Sequence, residues 1–214
     1  MNSAWGILAT LLALPLSAQA WDLRVELPFP QGPTPSQTSD MGTGQAISGS
    51  LGGGHGAIFT ASHRIIRLGP VLKLEGNAEY SHMRITGQIR QGDLSFASSL
   101  EQQGVGLGVN AQFWVPFSDL AGELGLLERF QSCRFEGAGY AENRDTARTW
   151  LRVGARWVLP FTGIDSYLAT SYQVAIAPPA AANGPGQNLG TYVSAQGSGL
   201  EFKRMWTGGV GMIF

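Results

Sequence analysis

The chain has little cysteine and no long apolar run. Cys133 is the one cysteine among 214 residues. A single cysteine excludes an intramolecular disulfide framework and every metal site built from several thiolates. No window of the sequence reaches the roughly 18 apolar residues that a membrane-spanning helix needs. The sequence therefore predicts neither a disulfide scaffold nor a helical membrane anchor.

Charge is also scarce, and it is balanced. Asp, Glu, Lys and Arg make up 14% of the residues, against about 25% in an average soluble domain. Fourteen basic and fifteen acidic groups leave a net charge of −1. A nucleic-acid-binding protein would show a basic excess, and a disordered chain would combine high net charge with few aromatics. We therefore expect a folded domain with no nucleic-acid partner.

Residues 1–20 have the pattern of a secretory signal peptide. Apolar or small residues fill positions 4–16, and Ala18-Gln19-Ala20 supplies the small-x-small cleavage pattern. The alternative, an amphipathic helix of the mature domain, would need a polar face, and this segment has none. The sequence predicts an exported domain that spans residues 21–214 and begins at Trp21.

The mature chain alternates between apolar and polar residues with a period of two, which is typical of strands with unlike faces. The first segment, 21–29, alternates without exception. The same pattern recurs, with two weaker examples, in residues 45–61, 72–81, 105–117, 132–142, 149–161, 168–176 and 201–214. These segments predict eight strands.

The connections between these segments alternate in length. Long polar connections occupy residues 30–44, 86–100, 142–148 and 177–192, and shorter turns lie between them. Within one turn, Leu120, Leu124 and Leu127 fall at helical spacing after a capping Ser118. We therefore predict a short helix in residues 118–131.

Several features predict which face of the strands lies outside. The segments run about ten residues or more, which is longer than usual soluble strands, and glycines concentrate on the polar face. Aromatic residues lie near the segment ends, with Trp21, Phe117, Phe161 and Phe214 at one end and Tyr80, Trp150 and Trp206 near the other. Together with the alternating loops, these features favour a membrane barrel with apolar residues outward. A soluble, lipocalin-like periplasmic barrel with the faces reversed is the alternative.

The last segment carries a further pattern. The chain stops at Phe214, with Trp206, Val210 and Met212 on the same face. Here the sequence resembles the small outer-membrane β-barrels of Gram-negative bacteria, the class that contains outer membrane proteins A, X and W. The resemblance covers the architecture of residues 21–214. It implies an eight-stranded, antiparallel, up-and-down transmembrane barrel in the cell outer membrane, whose terminal strand is the signal for the barrel-assembly machinery.

With the apolar faces outward, the polar faces place charges in the lumen. An eight-stranded barrel is just wide enough to be filled by side chains, and desolvated charges need partners. We therefore expect a lumen closed by paired charges and a structural or surface-recognition role. The alternative is a small pore, although a charge-selective pore would carry a ring of one sign. The expected lumen charges are Asp22, Glu26, Glu75, Glu79, Glu136, Glu201, Arg24, Lys73, Arg134, Arg152, Arg156 and Lys203.

A less favoured alternative is a lipid-modifying enzyme on the same scaffold. Glu79, Ser81 and His82 are close in sequence, but alternation sends Glu79 and Ser81 inward and His82 outward. A catalytic triad needs all three groups within hydrogen-bond reach, so we expect no catalytic site. His55 and His63 lie too far apart to chelate one ion from adjacent turns, and we expect no metal and no cofactor.

The outer rim suggests partners of another kind. Arg84 and Arg204 lie near the external loops, and arginine binds phosphates through bidentate hydrogen bonds. We expect a monomer in contact with outer-membrane lipid, with Arg84 and Arg204 touching lipopolysaccharide phosphates. Loops 30–44 and 177–192 are the expected recognition surfaces.

Overall fold

The computed structural model describes residues 21–31, 38–39, 46–91, 93–137, 140–160, 165–176 and 204–214. These residues form nine strands: β1 (Trp21–Gln31), β2 (Thr38–Ser39), β3 (Ala46–Leu68), β4 (Leu72–Gln91), β5 (Leu94–Trp114), β6 (Leu120–Gly137), β7 (Tyr140–Val158), β8 (Ser166–Ala175) and β9 (Arg204–Ile213). The predicted signal peptide and most of loops 30–44 and 177–192 lie outside the described residues. No helix in the described part of the chain is long and apolar enough to cross a membrane.

The eight long strands form one closed ring. Each strand from β3 to β9 is antiparallel to the next, and β1 pairs with both β3 and β9. The two-residue β2 pairs only with the start of β3. The predicted eight-stranded antiparallel up-and-down barrel is confirmed.

The register of the strands sets the width of the barrel. Paired residues can be followed from strand to strand, starting at Trp21. After one circuit of the ring the pairing reaches Gln31, ten residues further along β1. At ordinary strand spacings, eight strands with this stagger tilt by about 40° and enclose a radius of about 8 Å. The lumen therefore has room for side chains and little else.

Apolar side chains cover the outside of the ring, and polar side chains fill the inside. On β1, Leu23, Val25 and Leu27 are 41–57% exposed, whereas Asp22, Arg24 and Glu26 are at most 3% exposed. The same division holds along most of β4 to β9, with buried apolar side chains such as Met83, Leu127 and Trp150 as exceptions. We call this outer surface the apolar belt; its members on the other strands include Phe59, Tyr80, Val105, Leu107, Val109, Leu124, Leu126, Phe130, Val153, Trp157, Leu168, Trp206 and Val210.

The two ends of the barrel differ. One end, the turn end, holds Trp21, Phe214, the connections 69–71 and 115–119, and residues 159–160 and 165 between β7 and β8. At the other, the loop end, β4 joins β5 through residues 92–93 and β6 joins β7 through residues 138–139. β1 pairs with β3 only through residues 58–63, and β8 pairs with β7 only from Trp150 onward. Strands β3 to β7 therefore continue beyond the belt at the loop end as a five-stranded extension.

Two predictions about local structure were wrong. Residues 118–131 form no helix, because Leu120–Gly137 is strand β6, hydrogen-bonded to β5 and β7. The spacing was ambiguous: residues four apart, such as Leu120 and Leu124, share a face in a strand as well as in a helix. Leu127 has the opposite parity and points into the lumen, where it is 4% exposed.

The predicted long connections 86–100 and 142–148 are mostly strand as well. They belong to the hairpin of β4 and β5 and to the start of β7. Likewise, the predicted strand 132–142 comprises the end of β6, the connection 138–139 and the start of β7. Beyond the belt the alternation is reversed: Met83 and Ile85 point inward and are at most 1% exposed, whereas Arg84 and Thr86 are exposed on the outside. A rule that looks for apolar outer faces therefore reads these segments as polar loops.

Candidate functional site: the barrel lumen

The structure brings together eight of the twelve residues that the sequence placed in the lumen. All eight are at most 9% exposed. They come from strands far apart in the chain: Asp22, Arg24 and Glu26 from β1, Lys73, Glu75 and Glu79 from β4, and Arg152 and Arg156 from β7.

The first group of charges, the lower cluster, lies towards the turn end. Arg24 Nη1 donates to Glu123 Oε2 at 2.8 Å, and Arg156 forms ion pairs with both Glu123 and Asp22. The guanidinium of Arg156 also lies 4.5 Å from the centre of the Tyr167 ring, and the Tyr167 hydroxyl donates to Asp22. Each of these charges therefore has a partner of opposite sign.

Glu75 extends the lower cluster towards the opening at the turn end. Lys73 Nζ lies 2.5 Å from Glu75 Oε1, and Arg156 Nη2 lies 3.6 Å from Glu75 Oε2. Gln112 donates a further hydrogen bond to Glu75. Lys73 is 9% exposed, so its ammonium lies at the edge of the buried network.

The second group, the middle cluster, lies one layer towards the loop end. Arg152 Nη2 is 2.6 Å from Glu79 Oε2 and 3.5 Å from Glu26 Oε2, and Arg129 also pairs with Glu79. Thr207 Oγ1 donates to Glu26 Oε1 at 2.6 Å. Because Arg24 Nε lies 3.4 Å from Glu26, the two clusters form one connected network.

An apolar layer follows the middle cluster towards the loop end. Trp150 and Met205 each lie one inward position beyond a polar residue of that cluster, Arg152 and Thr207 respectively. Trp150 packs against the guanidinium of Arg129, with 4.5 Å between the guanidinium carbon and the ring centre. The layer comprises Ile58, Met83, Trp150 and Met205, which are all 0% exposed. Leu127 is also buried, but it lies on the turn-end side of Arg129 in β6. Buried apolar side chains therefore follow the paired charges in the lumen.

Trp150 corrects one part of the sequence interpretation, which placed it in an aromatic girdle on the outside. Its side chain is 0% exposed and points inward. Its even position gives it the parity of Arg152 and Arg156, so the alternation of β7 itself carried this information.

Arg134 and Glu136 are a second correction, because the sequence placed them in the lumen. Their side chains lie on the outer face of the extension, 58% and 45% exposed, and pair with each other. In β6 the odd-numbered positions, from Ala121 to Cys133, point inward, so the even-numbered Arg134 and Glu136 point outward. Glu201 and Lys203 lie outside the described residues.

Sequence reasoning missed three lumen charges, Glu123, Arg129 and Arg148. Glu123 and Arg129 fell within the predicted helix and Arg148 within a predicted loop. The shared odd parity of Glu123, Arg129 and Gln131 was the available signal. With these three included, the described residues contain five buried acidic and six buried basic side chains, and they do not form a ring of one sign. The acids are Asp22, Glu26, Glu75, Glu79 and Glu123, and the bases are Arg24, Lys73, Arg129, Arg148, Arg152 and Arg156.

The candidate catalytic group does not assemble. Glu79 and Ser81 are buried in the lumen, whereas His82 lies outside, with its Nε2 3.0 Å from Glu101 Oε1. Of the other two histidines, His63 stacks edge-on against Trp21 with 5.0 Å between ring centres. Among the residues that the structure describes, no three His, Cys, Asp or Glu side chains are grouped to hold a metal ion.

The two arginines proposed to touch lipopolysaccharide do not form one site. Arg84 and Arg204 are both exposed near the loop end, but β4 and β9 are separated by β3 and β1. Any contact with a phosphate is therefore made by each arginine separately.

The terminal strand completes the ring. β9 pairs with β1 and β8, and the Phe214 amide donates to the Trp21 carbonyl oxygen at 2.9 Å. Trp206, Val210, Met212 and Phe214 face outward and are 42–64% exposed. Trp206 packs against Tyr172 with the two rings tilted by 49° and 4.9 Å between ring centres.

No protein-family model and no curated protein matches the chain, but solved structures do. The attachment invasion locus protein Ail of Yersinia pestis is similar with 10% identity and a TM-score of 0.46, over 92% of this chain and 97% of that chain. The translocator domain of the autotransporter NalP from Neisseria meningitidis has 12% identity and a TM-score of 0.43, over 99% of this chain and 94% of that chain. The transport unit of the autotransporter AIDA-I from Escherichia coli has 13% identity and a TM-score of 0.39, over 81% of this chain and 60% of that chain.

Proposed function

We propose that this chain is an integral outer-membrane β-barrel with a structural or surface-recognition role, a closed lumen and no catalysis. The observation that best supports this proposal is the inverted distribution of side chains, with apolar residues outside the ring and paired charges inside. A soluble barrel would bury the belt and expose the charges, at a large cost in apolar surface.

The location is tested by gel mobility of membrane and soluble fractions from cells that express the full chain. A barrel that resists detergent until boiled, found in the outer-membrane fraction, supports the proposal. A soluble periplasmic protein with no heat-dependent shift would contradict it and favour the lipocalin-like alternative.

The closed lumen is tested by conductance of the purified barrel in planar bilayers. We expect no conductance from the native protein, because ions would have to cross the salt-bridged network and then the apolar layer. Met83→Ala with Trp150→Ala thins that layer, and Trp157→Ala on the belt is the matched control. Steady native conductance would instead establish the small pore.

The partners belong to the same proposal. Export follows from residues 1–20, and the assembly machinery recognises the outward residues of the terminal strand. Phe214→Ala is expected to lower the yield of assembled barrel, whereas Ile213→Ala, which changes the neighbouring lumen-facing side chain, is the control. Alanine at both Arg84 and Arg204 is expected to reduce co-purified lipopolysaccharide; unchanged co-purification would contradict that contact.

A further inference from the structure

A groove of about 510 Å³ runs along the outer face of β4 to β7, where the belt meets the extension. Its apolar lining consists of four residues in register across four strands. The order along this row is Tyr80, Val105, Phe130 and Ala147. The two aromatic residues lie on either side of the shorter Val105, and the small Ala147 leaves the β7 end of the row open. The groove is therefore an apolar slot within the volume range of ordinary ligand sites.

Two polar rows follow the apolar row towards the loop end, at steps of about 7 Å. The first polar row is His82, Gln103, Ser132 and Asp145, and the second is Arg84, Glu101, Arg134 and Asn143. Three residues of the first row, Gln103, Ser132 and Asp145, also line the groove. From the groove towards the loop end, the surface therefore changes from apolar groups to amide, hydroxyl and carboxylate groups, and then to a row with two arginines.

The two arginines of the second polar row are placed to bind anions. Arg84 and Arg134 lie two strands apart, so about 10 Å separates their backbones. Glu101, between them, is bonded to His82, with 3.0 Å between Oε1 and Nε2. Arg134 pairs with Glu136 through Nη2, but this exposed pair is weak, and a guanidinium has five N–H donors. Both arginines can therefore donate hydrogen bonds to a phosphate.

The first polar row suits a different chemical group. An ionised carboxylate such as that of Asp145 only accepts hydrogen bonds, whereas the side chains of Gln103 and Ser132 donate and accept them. Hydroxyl and amide N–H groups satisfy all three side chains, and a phosphate would be repelled by Asp145. This row therefore fits an acylated sugar, which carries hydroxyl and amide groups.

We infer that the groove holds one acyl chain of a lipopolysaccharide molecule, whose sugar contacts the first polar row and whose phosphates bind Arg84 and Arg134. Acyl chain, sugar and phosphate follow each other in this order in lipopolysaccharide. In a glycerophospholipid the phosphate follows the acyl esters directly, at the level where this surface presents Asp145. The inference rests on the proposed function, which places the loop end in the external leaflet, and extends the contact of Arg84 to a complete binding site.

The test is native mass spectrometry of the delipidated, detergent-solubilised barrel titrated with purified lipopolysaccharide. The other arms are the same lipopolysaccharide after removal of its phosphates, phosphatidylethanolamine and phosphatidylglycerol. We expect one lipopolysaccharide per barrel to be retained at concentrations where each other lipid is retained about tenfold less, the effect of one lost charge-assisted contact. Equal retention of phosphatidylglycerol or of the dephosphorylated form would overturn the inference.

Two tryptophan variants separate the groove from general lipid contact. Ala147→Trp fills the groove, and Ala155→Trp, on the same outer face of β7 within the belt, is its matched control. Ala147→Trp should reduce retention of lipopolysaccharide about tenfold, and Ala155→Trp should leave it unchanged. Equal effects of the two variants would contradict a defined site.

The head-group contacts are tested independently of groove filling, and they decide alone if Ala147→Trp shows no heat-dependent gel shift. Arg134→Ala should lower retention of lipopolysaccharide about tenfold but not that of the dephosphorylated form. Arg67→Ala, which changes an exposed arginine at the turn end, is the control. Asp145→Asn should lower retention of both forms, and a rise would place a phosphate at Asp145 and overturn the assigned order.

Failure of the inference can be told apart from failure of the proposed function. A heat-modifiable barrel in the outer-membrane fraction, in which Arg134→Ala has no effect on retention, overturns the inference and leaves the proposed role standing. A soluble protein without a heat-dependent gel shift overturns both.

Discussion

Two Arg–Glu pairs of the barrel have the same chemistry and opposite surroundings. In the lumen, Arg152 and Glu79 are 4% and 1% exposed, with 2.6 Å between Nη2 and Oε2. On the extension, Arg134 and Glu136 are 58% and 45% exposed. Removing one partner of a buried pair leaves an uncompensated charge, whereas an exposed pair is screened by water. The paired charges in the lumen therefore stabilise this barrel in the way that a buried apolar core stabilises a soluble protein.

The largest expected effect comes from breaking the buried pair. Glu79→Gln removes the carboxylate shared by Arg129 and Arg152, and should lower the free energy of unfolding by about 4 kcal/mol. Glu136→Gln should change it by about 0.5 kcal/mol or less. Equilibrium denaturant unfolding in lipid vesicles, followed by tryptophan fluorescence, measures both. Equal losses would mean that the lumen is hydrated.

The next comparison is between two tryptophans of β7. Trp150→Ala leaves a cavity in the apolar layer and removes the contact with Arg129, which should cost about 3 kcal/mol. Trp157 is 47% exposed on the belt, where the proposed surrounding lipid would fill the space that alanine leaves, so Trp157→Ala should cost less. The same unfolding measurement applies, and a greater loss from Trp157→Ala would contradict the placement of Trp150.

A charge introduced on the outer face tests where the belt ends. Val109→Arg places a guanidinium within the belt and should cost about 2 to 3 kcal/mol. Ser99→Arg lies on the same face of β5 but on the extension, where it meets water, and should be nearly neutral. Stability of both variants in vesicles checks this, and a tolerated Val109→Arg would show that this face is solvated.

The smallest expected effect is a gain. Glu128 lies on the belt between Leu126 and Phe130, and its carboxylate accepts a hydrogen bond of 2.7 Å from Thr149. Glu128→Leu exchanges a charge on the belt, the surface that the proposed function places in lipid, for an apolar group, and should stabilise the barrel by about 1 kcal/mol. Glu101→Leu, on the extension, should give no gain. Destabilisation by Glu128→Leu would indicate that Glu128 binds a polar partner.

The fold was largely predictable because the belt imposes one rule on every strand that crosses it. Leu23, Val25 and Leu27 on one side, and Asp22, Arg24 and Glu26 on the other, meet unlike surroundings, so alternation reveals both the strand and its faces. Residues 94–100 do not follow this rule, because on the extension the outer face is polar and the inner face is the buried one: Ser98 and Leu100 are 5% and 0% exposed. Residues 118–131 follow it, but Leu120 and Leu124 fitted a helix equally well.

The local sequence by itself determined the strand pattern, the outward apolar faces and most of the charges that enter the lumen. Only the tertiary structure decided that Glu123 and Arg129 join the network while Arg134 and Glu136 stay outside it. Whether a residue points inward or outward follows from its odd or even position once the strand is known. The sequence of β6 also fitted a helix, and the hydrogen bonds to β5 and β7 make it a strand. Partners are set in the same way: Thr207 and Glu26 are 181 residues apart in sequence, and only ring closure with its ten-residue stagger brings them together.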